Sequence, residues 1–179
     1  MRDVARALGV SLAALQYHYP SKAALLDAFV QHSIDTYLKR IARIASESEL
    51  PARFTNTLEF VARETLAVTE GGVLAMIEAR AYHDEVSNQA LQRFMRAYLD
   101  AMGSIIAAEF ADLPPDEVKL CATLVCSQFE GLASTYEAAC EAGVDPSSLI
   151  NATVRAATCI AQQHAAHCEK SSASSPRAR

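Results

Sequence analysis

Tryptophan is absent from this 179-residue chain, and glycine and proline are scarce, six of each. A sequence that is 51% hydrophobic with so few breakers can build long helices around a sizeable core. No segment shows the period-two alternation of a half-buried strand, so the expected fold class is all-α. No CxxC pair occurs, and the five cysteines are an odd, scattered set, which speaks against a disulfide framework and for a reducing interior. No uninterrupted apolar run approaches the ~18–20 residues that span a bilayer, and the N-terminus is charged, unlike a signal region. No membrane partner and a cytoplasmic location are therefore expected. The nucleophile elbow, the glycine-rich phosphate loop and HExxH are missing, and no Glu precedes a His by three residues as in di-iron bundles. The expectation is a protein that is not an enzyme and uses no cofactor.

Charge is unevenly spread. Residues 1–46 carry six Lys/Arg against three Asp, whereas residues 47–169 carry seven basic groups against 18 acidic ones. A basic end on an acidic body suits a module that faces phosphate.

Apolar spacing and punctuation divide the chain into two short helices, Arg2–Leu8 and Leu12–His18, followed by six longer ones. Ser21 is placed to cap the third helix, which runs to about Ser46 with Leu26, Val30, Tyr37, Ile41 and Ile44 on one stripe. Pro51 suits the start of the fourth, striped by Phe54, Leu58, Val61, Thr65 and Val68, and Gly71-Gly72 ends it. Val73–His83 and Glu85–Phe110 follow. Pro114-Pro115 precedes a helix to about Ala142, and Asp145-Pro146 opens a last one to about His167. The expected division is residues 1–46, a partial helix-turn-helix with its connecting helix; 47–168, a helical effector-binding and dimerisation domain; and 169–179, a disordered tail.

The densest information lies between Val4 and Lys22. Gly9 stands where the chain reverses between the short helices, and a positive backbone dihedral is cheap there only for glycine. Ser11 can cap the second helix. Ala5, Leu8, Val10 and Leu15 are the apolar residues expected to pack the pair together. A short helix, a glycine turn, a second short helix and a Pro-Ser break form helix-turn-helix grammar, whose second helix enters the DNA major groove.

This stretch resembles, almost position by position, the DNA-reading segment of the tetracycline-repressor (TetR) family of transcription regulators. The resemblance implies base-facing Leu12, Ala13, Ala14, Gln16 and Tyr17, with Ser11, Tyr17, His18 and Lys22 toward phosphates and Tyr19 as a buried aromatic. Ala14 stands where the family usually has Thr or Ser, and Gln16 where it usually has Tyr. Alanine can touch a thymine methyl and glutamine can pair bidentately with adenine, so the base preference is this chain's own. In the family a further helix precedes the pair, supports it and touches the DNA backbone. No counterpart stands before Arg2, so either the reading frame extends upstream of Met1, which is the favoured expectation, or the head is loosened.

In the body, Phe54, Met76, Tyr82, His83, Phe94, Tyr98 and Met102 fit an effector pocket between helices, and they fit an ordinary core equally well. The resemblance favours a small-molecule effector here. Leu120 to Ser134 holds one charge, Glu130, and Leu149 to His164 one, Arg155, so the last two helices read as apolar on more than one face. The resemblance implies that they pair with a second copy, with Leu124, Gly131, Ser134, Val154, Ala157 and Ile160 at the homodimer interface. His164, His167 and Cys168 share a face at metal-compatible spacing but lack a fourth ligand in sequence, and no metal site is expected. Cys121, Cys126, Cys140 and Cys159 read as small buried apolar groups.

The implied function is a ligand-responsive regulator, a repressor, that binds double-stranded DNA as a homodimer on a palindromic operator. The competing reading is a helical ligand-binding or interaction dimer that has lost DNA binding through absence of the first helix.

Overall fold

The computed structural model describes residues 1–47, 53–71 and 73–174. They form eight helices and no strand: α1 (Arg2–Ala7), α2 (Leu12–His18), α3 (Lys22–Glu47), α4 (Arg53–Gly71), α5 (Val73–Ala81), α6 (Glu85–Glu109), α7 (Pro115–Glu141) and α8 (Pro146–Ser174). The all-α expectation holds, as does the order of two short helices before six longer ones. Pro51 and Gly72 lie outside the described residues.

Local chemistry explains most boundaries. Gly9 has φ of 67°; its N–H donates to Arg6 O and that of Val10 to Ala5 O, the paired bonds of a Schellman turn. Gly143, at φ of 90°, closes α7 in the same way through Cys140 O and Ala139 O. Ser11 Oγ accepts from Ala14 N at 3.0 Å and Ser21 Oγ from Ala24 N at 3.1 Å, so both expected serine caps are in place. Asp84 and Asp145 cap α6 and α8 through the Ser87 and Ser148 amides. The end of α8 departs from expectation. Helix continues to Ser174 where a tail from residue 169 is expected, because no glycine or proline interrupts the chain between Pro146 and Pro176. Residues 175–179 lie outside the described residues.

The body closes around one main core shared by α3, α4, α6, α7 and α8. Leu58, Val61, Met102, Ile106, Val125 and Phe129 are its largest fully buried apolar side chains. A smaller cluster of Val30, Ile34, Ile77 and Ala90 joins α3 to α5 and α6, nearer the N-terminal pair. The α3 stripe is realised: Val30 and Ile41 are buried and Leu26, Tyr37 and Ile44 half-buried. On α4, Phe54, Leu58 and Val61 are buried, Thr65 is half-buried, and the Val68 side chain lies outside the described residues. At 26 residues, α3 is roughly 39 Å long and connects the N-terminal pair to the far side of the body.

Candidate nucleic-acid interface and ligand cleft

The N-terminal pair is held by little apolar surface. Ala5 and Leu15 are buried against each other's helices, at 3% and 5% exposure, and neither belongs to the clusters that hold the body. Leu8 and Val10, expected to pack the pair, are instead 64% and 44% exposed. The reason is the turn itself: Leu8 is the C-cap of α1, and the left-handed Gly9 swings Leu8 and Val10 out of the seam between the helices. Val4 and Phe29 are also solvent-facing large apolar residues.

On α2 the face away from Leu15 stands clear of the protein. Ala13, Ala14, Gln16, Tyr17 and His18 are all exposed, Tyr17 at 84%, while Leu12 and Tyr19 are half-buried. The rings of Tyr17 and His18 meet edge to face, with centroids 5.2 Å apart. Ser11 is exposed at the cap, and Lys22 is exposed at the first position of α3. The eight sequence-derived reading positions thus share one end of the molecule, with six of them fully solvent-facing besides the half-buried Leu12 and the cap. This end is tied to the body through α3. Asp27 forms an ion pair with Arg93 of α6. The Asp84 carboxyl is held below its ordinary range first by the Ser87 hydroxyl, with Arg80 and Lys22 adding to the effect.

The seven effector positions are not brought together. Tyr98 and Met102 are core residues at 4% and 1% exposure. Phe94 packs on the smaller cluster. Tyr82, at 87%, and His83 face solvent, because α5 ends at Ala81 and the chain turns there. The Met76 side chain lies outside the described residues. Of the six whose side chains are described, Phe54 alone lines a cleft between α3, α4 and α6. This cleft has a volume of about 570 Å³ and lies between α3, which gives Leu38, Ile41 and Ala42, α4, which gives Arg53 and Phe54, and the C-terminal half of α6. Ala97, Ala101 and Ala108 recur on one face of α6 beside Asp100, Ser104, Ile105 and Glu109, and their small side chains leave the space. That run of alanines at helical spacing was the available sequence signal. Aromatic and methionine residues drew the prediction elsewhere, although large side chains fill space.

Between α3, α4, α6 and α7 the interior is aromatic and acidic. Tyr37 stacks on Phe60, and meets Tyr98 edge to face at 5.9 Å between centroids. Arg40 lies over the Phe60 ring and pairs with Glu64. Burial pushes the carboxyls of Glu130 and Glu78 above their ordinary range, and Glu78 adds its charge to the effect on Glu130. The Cys121 and Cys126 thiols are buried, and desolvation raises them to about 11 and about 12. Cys159 is exposed and Cys140 half-buried, so the reading of all four as buried groups fails at those two.

On the outer side of α7, Leu120, Leu124, Gly131 and Ser134 are exposed. The hydroxyls of Thr123, Ser127 and Thr135 on this side bond back to carbonyls of their own helix, at 2.7–2.9 Å. Val154 and Ala157, placed at an interface by the sequence reading, are 3% and 0% exposed and belong to the protomer's own core. They face α4 and α7, the neighbours that α8 packs on, and are withdrawn from an interface with a second copy. Ile160 is half-buried. His164 Nδ1 lies 3.1 Å from Glu117 Oε2, an α8–α7 contact, and no cluster of three or more potential metal ligands occurs among the described residues. No helix among them is long and apolar enough to cross a membrane.

Residues 1–29 match the family model described as bacterial regulatory proteins, tetR family. No curated protein and no solved structure matches the chain.

Proposed function

We propose that this chain, whose first 29 residues match the family model of tetR-family bacterial regulatory proteins, is a ligand-responsive, DNA-binding transcriptional repressor. It acts in the cytoplasm as a homodimer on a palindromic operator, with residues 1–46 as the reading head and 47–168 as the effector-binding and dimerisation body. The observation that carries the reading is the family match over a segment whose α2 presents Ala13, Ala14, Gln16 and Tyr17 to solvent from a Ser11-capped helix. Gln16 and the alanines would meet base edges, and Tyr17, His18 and Lys22 the phosphates.

Dimerisation through α7 and α8 would use Leu124, Gly131, Ser134 and Ile160. Self-bonded hydroxyls support this, since a face whose Ser and Thr groups are satisfied within the helix presents less unmet polarity to a partner. A two-fold dimer places two heads on two half-sites. Regulation would run through α3, which carries Lys22 at its start and Leu38, Ile41 and Ala42 on the cleft wall. A ligand that favours one position of α3 shifts the population between head spacings that fit the operator and those that do not.

Selection from random duplexes, followed by titration at several salt concentrations, tests the reading. Lys22→Ala should weaken all sequences alike and flatten the salt slope by about one unit; Gln16→Ala should change the preferred base at a cost of about 1–3 kcal/mol. If both leave binding and preference untouched in a protein that binds DNA, the assignment of α2 as the reading helix is wrong. A dimer with no salt-dependent DNA binding would instead be a ligand-binding or interaction protein. The exposed Leu8 and Val10, which leave α1 and α2 with two buried apolar side chains, are the observation on that side.

A further inference from the structure

We infer that Arg93 of α6 is a positioning residue for the N-terminal pair, α1 and α2, acting through its ion pair with Asp27 near the start of α3. The consequence for DNA binding rests on the regulator reading above; the tie itself does not.

Packing alone holds the pair weakly. Ala5 and Leu15, the buried residues of α1 and α2, belong to neither core cluster, so the placing of the pair depends on how the first turns of α3 are held. From Lys22 to Phe29 no side chain of α3 is fully buried, Leu26 leans on the smaller cluster, and the first buried residue is Val30. About 12 Å of helix therefore precedes the first buried anchor. Within that stretch Asp27 reaches across to Arg93, 66 residues away in sequence. Asp35 and Glu85, further acidic groups on these two helices, accept hydrogen bonds from Gln31 and Gln89 of their own helices, at 3.0 and 2.8 Å.

The charges also favour one register. The Ser87 hydroxyl holds the carboxyl of Asp84, the N-cap of α6, below its ordinary range, and Lys22 at the start of α3 adds to the effect. In chain order α3 thus offers a cation and then an anion, and α6 an anion and then a cation. Sliding α3 along α6 in either direction moves like charges toward each other. The Asp27 and Arg93 side chains are 59% and 40% exposed, so solvent screens the pair. Its effect is a shift of a few-fold in how often the pair of helices is held in place, short of a lock.

The test uses the full chain and reads amide exchange from Leu12 to Leu26 beside the denaturation midpoint of the body. Asp27→Asn and Arg93→Gln should each speed exchange there by about two- to fivefold while the midpoint stays in place. The double variant should be no faster than either single one, because the same interaction is lost once. Arg93→Lys keeps the charge and should retain most of the protection. Arg96→Gln removes a cation from an exposed position one turn further along α6 and should leave exchange unchanged, which controls for net charge. On a duplex that the protein selects, Arg93→Gln should weaken binding by the same few-fold factor, and Arg96→Gln should not reproduce it. Unchanged exchange in both single variants, additive effects in the double one, an equal effect of Arg96→Gln, a matching fall of the body's midpoint, or no wild-type protection from Leu12 to Leu26 would each overturn the proposal. So would faster exchange with undiminished affinity for the duplex. A tie seen by exchange in a chain that never binds DNA sinks the regulator reading and leaves the role of the ion pair standing. DNA binding with unchanged exchange in the variants does the reverse.

Discussion

At the scale of single residues, the acidic interior gives a pH signature. Glu130 is half-buried on α7, and desolvation, with repulsion from Glu78, raises its carboxyl above the ordinary value of 4.5. A raised folded-state pKa means that the folded form holds the proton longer than the unfolded one. The stability tied to this group is fully present below 4.5 and is lost as pH rises through the folded value. Glu130→Gln should therefore stabilise the protein at pH 7 and change little at pH 4, with a smaller fall in stability between the two than wild type. Urea denaturation at both pH values checks this; equal effects of the substitution at both would show that Glu130 stays solvated. Tyr98 and Cys126 in the same region are buried groups whose hydroxyl and thiol burial pushes upward, so both stay neutral at physiological pH.

Among the elements, the two left-handed glycines make a matched comparison. A Cβ on Gly9 or on Gly143 would meet nothing within 4 Å, so replacement by alanine costs only backbone strain, about 1–2 kcal/mol. Gly143 closes α7 onto α8 in the main core, and Gly143→Ala should lower global stability by about that amount in a denaturant titration. Gly9 closes α1 in an N-terminal pair whose buried residues, Ala5 and Leu15, belong to neither core cluster. Gly9→Ala should leave the main unfolding transition in place and speed amide exchange from Leu8 to Tyr19. An equal loss of global stability in both variants would mean that head and body unfold as one unit.

For the whole molecule, the decisive quantity is the state of assembly. Gly131 is exposed on α7, and a side chain there has open space within the protomer. Gly131→Arg should thus fold normally and convert a dimer to a monomer in sedimentation at micromolar concentration, while Gln92→Arg, on the exposed side of α6, leaves the dimer intact. A wild-type monomer under the same conditions would remove the dimer and, with it, the paired heads. The charge distribution belongs to this scale too: the acidic body repels phosphate, so the orientation on DNA would be set by the basic N-terminal end.

Much of the fold was legible in sequence because it depends on local rules. Glycine at positive φ, Ser11 and Ser21 at helix starts, proline at first turns and apolar spacing fixed the order of the eight helices among the described residues and put the proposed reading residues at one exposed end. The N-terminal pair was most readable of all, since its turn and cap are short-range chemistry. What only the tertiary structure decided is which side of each helix has a neighbour. Periodicity marks a face as apolar without saying whether a second helix of the same chain or another molecule covers it, so Val154 and Ala157 were assigned to a partner and proved to be core. The same blindness applied to empty space. A cleft exists where three helices diverge around small residues, and the spacing of Ala97, Ala101 and Ala108 marks small side chains without saying whether a neighbour fills the space they leave; Tyr98 and Met102 filled the interior while those alanines left room beside Arg53.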